Sequence, residues 1–274
     1  MDDLQRDSVS KMEWQGMKEK WWIFFSPFIL LGYIFFCFKT ARPIEPFVLF
    51  VLILPFILVV SYVHQKALEA FMRAFATRHG FSYTKIDDPS TLHGKLFSVG
   101  YSKTMRHVVQ GFLEDPLSLF LYGYTVGSGK NSVHYAHTVA SCSYKETTFP
   151  SLVLSARSQR KYGTQDLFGV VHDREVTLEP EFSQVFSLVV TEGFETEALQ
   201  IFSPEILREL VKMGAEYRLE FCEHSWYLSV DKYLTTSEEL EKFFATASYL
   251  AKTLGPLLHR LHDDFSAMHA YIKE

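Results

Sequence analysis

Histidine and carboxylate at helical spacing come closest in this chain to a chemical centre. His259, His262 and Asp263 stand at i, i+3 and i+4, which makes them neighbours on one helix face, and imidazole with carboxylate is a donor set that suits zinc. At about 3.6 residues per turn, Leu257, Leu261, Phe265 and Met268 fall on one side of that helix. His259, His262, Asp263, Ser266 and His269 fall nearly opposite. A catalytic metal wants a cleft and a second layer of hydrogen bonds. The expectation is therefore a solvated helix face, with these three residues as weak metal candidates and no resident metal or cofactor.

His134 and His137 have HxxH spacing but lie in a strand-like run. Residues three apart on a strand point to opposite faces, so they read as packing or surface histidines. The stretch GSGK at 127–130 imitates a phosphate loop, but Tyr124 stands where the first glycine belongs, Asn131 follows the lysine, and no helix comes next. A hairpin turn explains it better. For nucleophilic catalysis no GxSxG elbow occurs, and Cys37, Cys142 and Cys222 carry no protease signature and form no CxxC knuckle. This cysteine usage suits a reducing cytosol, although Cys142 and Cys222 could pair. No catalytic residue emerges.

The elements that would position any site begin with two uncharged apolar runs, residues 21–38 and 46–63. Each is long enough to cross a hydrocarbon core of roughly 30 Å as a helix, and a helix satisfies its own backbone there. The expectation is a transmembrane hairpin that meets the lipid bilayer through residues 21–63, with Trp21 and Trp22 at the interface. Arg6, Lys11, Lys18 and Lys20 before the first run and Lys66, Arg73 and Arg78 after the second outweigh Lys39 and Arg42 between them. That balance predicts a multi-pass inner-membrane protein with both termini cytoplasmic. A cleaved signal peptide is not expected, because a long polar segment comes first.

The second run continues as HQKALEAFMRAFATRHG, with Leu68, Phe71, Met72 and Phe75 on one face and Gly80 as the stop. A helix over 46–79 would form a semi-rigid stalk. From Phe81 the period changes to two. Strands are predicted over residues 95–101, 106–113, 117–126, 133–144, 151–156, 175–178, 184–190, 216–222 and 226–230, with a loop over 158–173. The glycines and Asn131 between the third and fourth of these suit a hairpin turn. Ser203, Pro204 and Glu205 open a short helix. A final helix starts near Ser237 with Leu240, Phe243, Ala247, Leu250 and Leu254 on one stripe, to be kinked or split at Gly255–Pro256.

The fold class is α+β: an N-terminal two-helix transmembrane hairpin, then a mainly antiparallel sheet domain with a long C-terminal helix. The boundaries are 1–20 for a cytoplasmic segment, 21–63 for the hairpin, 64–80 for the stalk and 81–274 for the cytoplasmic domain.

The GSGKN hairpin and the later stretch FSLVVTEGFETEALQIFSPEILREL resemble a family of bacterial two-span membrane proteins that carry a cytoplasmic domain of unknown function. The resemblance runs from about Phe81 to Leu254 and implies a bacterial inner-membrane protein with no catalytic residue to carry over. A formal net charge of -5 over 274 residues, with no Lys/Arg cluster, argues against a nucleic-acid binder. The expected function is a membrane-tethered binding or scaffold module for a membrane or cytoplasmic protein, of unspecified oligomeric state. A membrane-bound hydrolase is the alternative, and a channel is disfavoured by the uncharged spans.

Overall fold

The structure is a computed structural model that describes residues 9–10, 26–40, 46–113, 115–144, 148–157, 173–214 and 216–272. Trp21, Trp22 and the segment 158–172 lie outside the described residues. The chain divides into two compact units, Met1–Phe75 with Thr235–Glu238, and Ala76–Leu234 with Glu239–Glu274.

The first unit holds helix α1, Ser26–Lys39, and most of α2, Pro46–His79. The membrane hairpin is corrected here: among the described residues no helix is long and apolar enough to cross a membrane. Helix α1 has 14 residues, about 21 Å at 1.5 Å per residue, which falls short of the roughly 30 Å hydrocarbon core. Helix α2 is long, but its second half carries His64, Lys66, Glu69 and Arg73, and Glu69 lies 3.5 Å from Lys66 and 3.1 Å from Arg73. The transmembrane topology and the inner-membrane location fall with that hairpin. On α2 the apolar stripe Leu68, Phe71, Met72 and Phe75 is buried, and Gly80 ends the helix at φ 69°.

The second unit is built on one nine-stranded sheet. Its strands are β1 Ser82–Asp87, β2 Tyr101–Phe112, β3 Pro116–Val126, β4 Val133–Ser143, β5 Phe149–Ala156, β6 Asp173–Val176, β7 Phe186–Thr191, β8 Arg218–Glu223 and β9 Ser225–Val230. The order is β1-β2-β3-β4-β9-β8-β5-β7-β6, and each neighbouring pair is antiparallel. The stretch GSGK is a turn between β3 and β4, whose register runs unbroken from Leu117 opposite Cys142 to Val126 opposite Val133. Gly127 sits at φ 89°, and a Cβ there would lie 2.4 Å from the Asn131 carbonyl oxygen. Any other residue would strain that turn.

The expected strand over 95–101 is instead a helical turn, α3 Lys95–Ser98. Helices α4 Pro180–Ser183, α5 Glu195–Ile201 and α6 Pro204–Lys212 precede α7, Ser237–Ile272. Helix α7 is not split by Gly255–Pro256: it passes through Pro256 as one element. At Gly255 the helix passes close to Asp115, whose Oδ2 lies 2.8 Å from where a Cβ would stand.

Two layers cover the sheet. Helix α7 lies on the back, where the ring of Phe243 packs tilted against Tyr217 at 5.9 Å, and Phe202 reaches Phe221 at 5.8 Å. Its start is tied to the last turn of α2 through Glu241, 2.9 Å from Arg78 and 3.0 Å from His79. On the front, α3 inserts Phe97 against Tyr122 at 4.9 Å and Tyr227 at 4.8 Å. A strand covered on both sides needs apolar residues at successive positions, which accounts for LSLFLY in β3.

Candidate functional site

Alternation along a strand sorts side chains between two faces, and the register extends that sorting across six strands. On the back, Leu119, Ala140, Leu228, Leu219, Leu154 and Leu188 form a continuous apolar row. One residue out of step, the front row reads Phe120, Val139, Ser229, Arg218, Ser155 and Ser187. Its four polar members are no more than 2% exposed.

Arg218 Nη2 donates to Glu220 Oε2 at 3.1 Å. The same carboxylate accepts the backbone N–H of Leu96 at 3.3 Å and that of Lys95, so it caps the start of α3. Gly94 at φ 136° admits it, since a Cβ there would lie 2.9 Å from Glu220 Oε1. Glu220 is therefore satisfied from two sides. Arg218 is not: among the described residues its Nε and Nη1 have no hydrogen-bond partner, and neither do Ser155 Oγ and the Tyr122 hydroxyl.

An aromatic ladder adjoins this row. The His137 ring lies parallel to Tyr124 at 5.4 Å, and Tyr124 stacks on Tyr135 at 5.3 Å. His137 Nδ1 is 3.1 Å from Asp231 Oδ1, off the line of a hydrogen bond. Burial, with Asp231 and Tyr135 adding to it and Arg218 opposing, pushes the Tyr124 hydroxyl up to about 12. Burial and Tyr124 raise Tyr122 as well.

Toward the opposite end of the front face a cleft of about 360 Å³ opens over Gln110, Ser118, Ser141, Ser143 and Ser225. Ser143 Oγ and Ser225 Oγ are 2.7 Å apart, and at the rim His93 lies 3.5 Å from Glu223. The Cys222 thiol also lines it. Burial, then Glu220 and Glu223, push that thiol up to about 12. At neutral pH it is protonated and a poor nucleophile.

No model of a known protein family matches this chain, and no curated protein matches it. The structure is similar to the crystal structure of the mycobacterial trehalose monomycolate transport factor A, with a TM-score of 0.48 at 11% identity over 67% of this chain and 94% of that one. No residue's role passes across that distance.

The side chains of His259, His262 and Asp263 lie outside the described residues, among which no group of three or more metal-binding side chains occurs. His134 is exposed, its Nδ1 3.4 Å from Thr125 Oγ1, while His137 is buried on the other face. Cys142 and Cys222 occupy opposite faces and are free thiols, not a pair. The residues that motif reasoning passed over are Arg218 and Glu220. Their signal was present: in RLEFC two opposite charges alternate with Leu219 and Phe221, which puts both charges on one face of a strand.

Proposed function

We propose that this chain is a non-catalytic binding module whose small polar ligand seats in the front-face cleft. The observation that carries the reading is the lining: Gln110 and the hydroxyls of Ser118, Ser141, Ser143 and Ser225. Each of these groups both donates and accepts hydrogen bonds, which suits recognition of a polar molecule through several weak contacts. Its volume lies within the ordinary range for ligand sites of about 300–1,000 Å³. A nucleophilic enzyme concentrates its chemistry on one activated group beside a base. Here the thiol holds its proton and Ser143 bonds to another serine, so neither supports hydrolysis.

Native mass spectrometry of the purified full chain tests this. A co-purifying small molecule is expected on the parent protein and is lost in the Ser118→Leu/Ser141→Leu variant, which fills the cleft, while circular dichroism stays the same. A parent free of any adduct, or an adduct equally present on both, contradicts the proposal.

A further inference from the structure

Residues in register on adjacent strands stand about 4.8 Å apart, and a largely buried polar side chain ordinarily finds a partner. On the front face Gln110 is opposite Ser118, and Ser118 is opposite Ser141, so one row across three strands forms the floor of the hydroxyl cleft. In the adjoining row Ser143 and Ser225 satisfy each other. The three floor side chains do not: among the described residues none of them has a hydrogen-bond partner, although Ser141 is only 8% exposed. All three face open space in the cleft. We propose, resting on the reading of this cleft as the ligand site, that its occupant is an uncharged polyol, a sugar by class.

Charge selects that class from both sides. The described lining includes the carboxylates of Asp87 and Glu223 but no lysine or arginine, so an anion is repelled and finds no counter-charge. The Cys222 thiol registers the same field, since Glu220 and Glu223 act on it more strongly than Lys95 opposes them. A cation fares poorly for a different reason. The floor of Gln110, Ser118 and Ser141 carries no ionised side chain, Glu223 at the rim is already engaged by His93 at 3.5 Å, and a charge taken out of water without a partner is costlier to bury than a neutral group. A hydroxyl matches the floor at each position, because serine hydroxyls and the glutamine amide both donate and accept as it does. Carboxylates at the rim accept further hydroxyls in charge-assisted bonds. Leu92 and Met105 complete the lining with apolar surface, which suits the C–H face of a sugar ring.

Three probes with one ring and three charges test this on the full chain: glucose, protonated glucosamine and glucuronate, each titrated at matched ionic strength and read by saturation-transfer NMR. Saturable transfer to glucose is expected, with the two charged sugars at least about tenfold weaker. Glucose binding should weaken about threefold or more in Ser141→Ala, which removes one hydrogen-bonding group, and vanish in Ser118→Leu, which fills the floor. Melting curves establish that both variants fold, and the charge series on the parent needs no variant. Glucose binding that is unchanged in both variants overturns the proposal, because the sugar then sits elsewhere. Tighter binding of either charged sugar, lost in Ser118→Leu, overturns the polyol class and leaves the cleft as a ligand site. No saturable response to any of the three also overturns the class, and the cleft itself falls with it only when native mass spectrometry finds no adduct on the parent.

Discussion

The back of the sheet buries Trp226, Leu228, Phe221 and Leu219 on the side that carries α7, whereas the front of the same two strands buries Tyr227, Ser229, Glu220 and Arg218. Burial is equally deep on both sides, so depth does not distinguish them. Chemistry does. Each apolar side chain on the back contributes about 1.5–3 kcal/mol by leaving water. A buried ion pair contributes little net, and well-packed apolar replacements are often neutral or stabilising by about 1–4 kcal/mol. The back face is thus where stability resides, and the front face carries polar groups that stability alone does not explain. The proposed binding role would draw on them.

The sharpest way to break this contrast is to remove one partner of the ion pair. Glu220→Leu leaves Arg218 charged and unpaired and uncaps α3, so a loss of about 3–5 kcal/mol is expected in urea unfolding. On the back, Phe243→Ala opens a cavity beside Tyr217 and is expected to cost about 3–5 kcal/mol. If either change is silent, that face has been misassigned.

Alkaline pH offers a smaller test. The Cys222 thiol rises from 9.0 to about 12 and the Tyr124 hydroxyl from 10.0 to about 12. Below pH 9 both are protonated in the folded and unfolded chains alike, and their full contribution is present. Between about 9 and 12 the unfolded chain releases protons that the folded chain keeps, so stability falls as pH rises. Melting curves from pH 8 to 11 should decline, less steeply in Cys222→Ser. The smallest effect is expected away from both faces: Arg174 lies 2.8 Å from Glu192 with both side chains more than half exposed, so Arg174→Ala should change stability by less than about 1 kcal/mol.

Local signals carried much of the sheet. The β3–β4 hairpin was legible because Gly127 and Asn131 mark a turn between two alternating runs, and α2 was legible to its end because Gly80 can take positive φ. The turn at Lys95–Ser98 was not: its first amides are capped by Glu220, more than a hundred residues away, and no local window contains both. The two uncharged runs over residues 21–38 and 46–63 misled for a related reason. Absence of charge shows that a segment avoids water but does not say what replaces the water. Arg218 and Glu220 were overlooked because a charged pair on a strand resembles a solvated edge until β5 and β9 are seen to flank β8.

The most direct test of the two-face account is the double variant Arg218→Met/Glu220→Leu, measured by urea unfolding. The account predicts a clear recovery of stability over Glu220→Leu alone, since no unpaired charge is left buried, with only the lost cap on α3, about 0.5–2 kcal/mol, still missing. A double variant destabilised as severely as Glu220→Leu alone would contradict it.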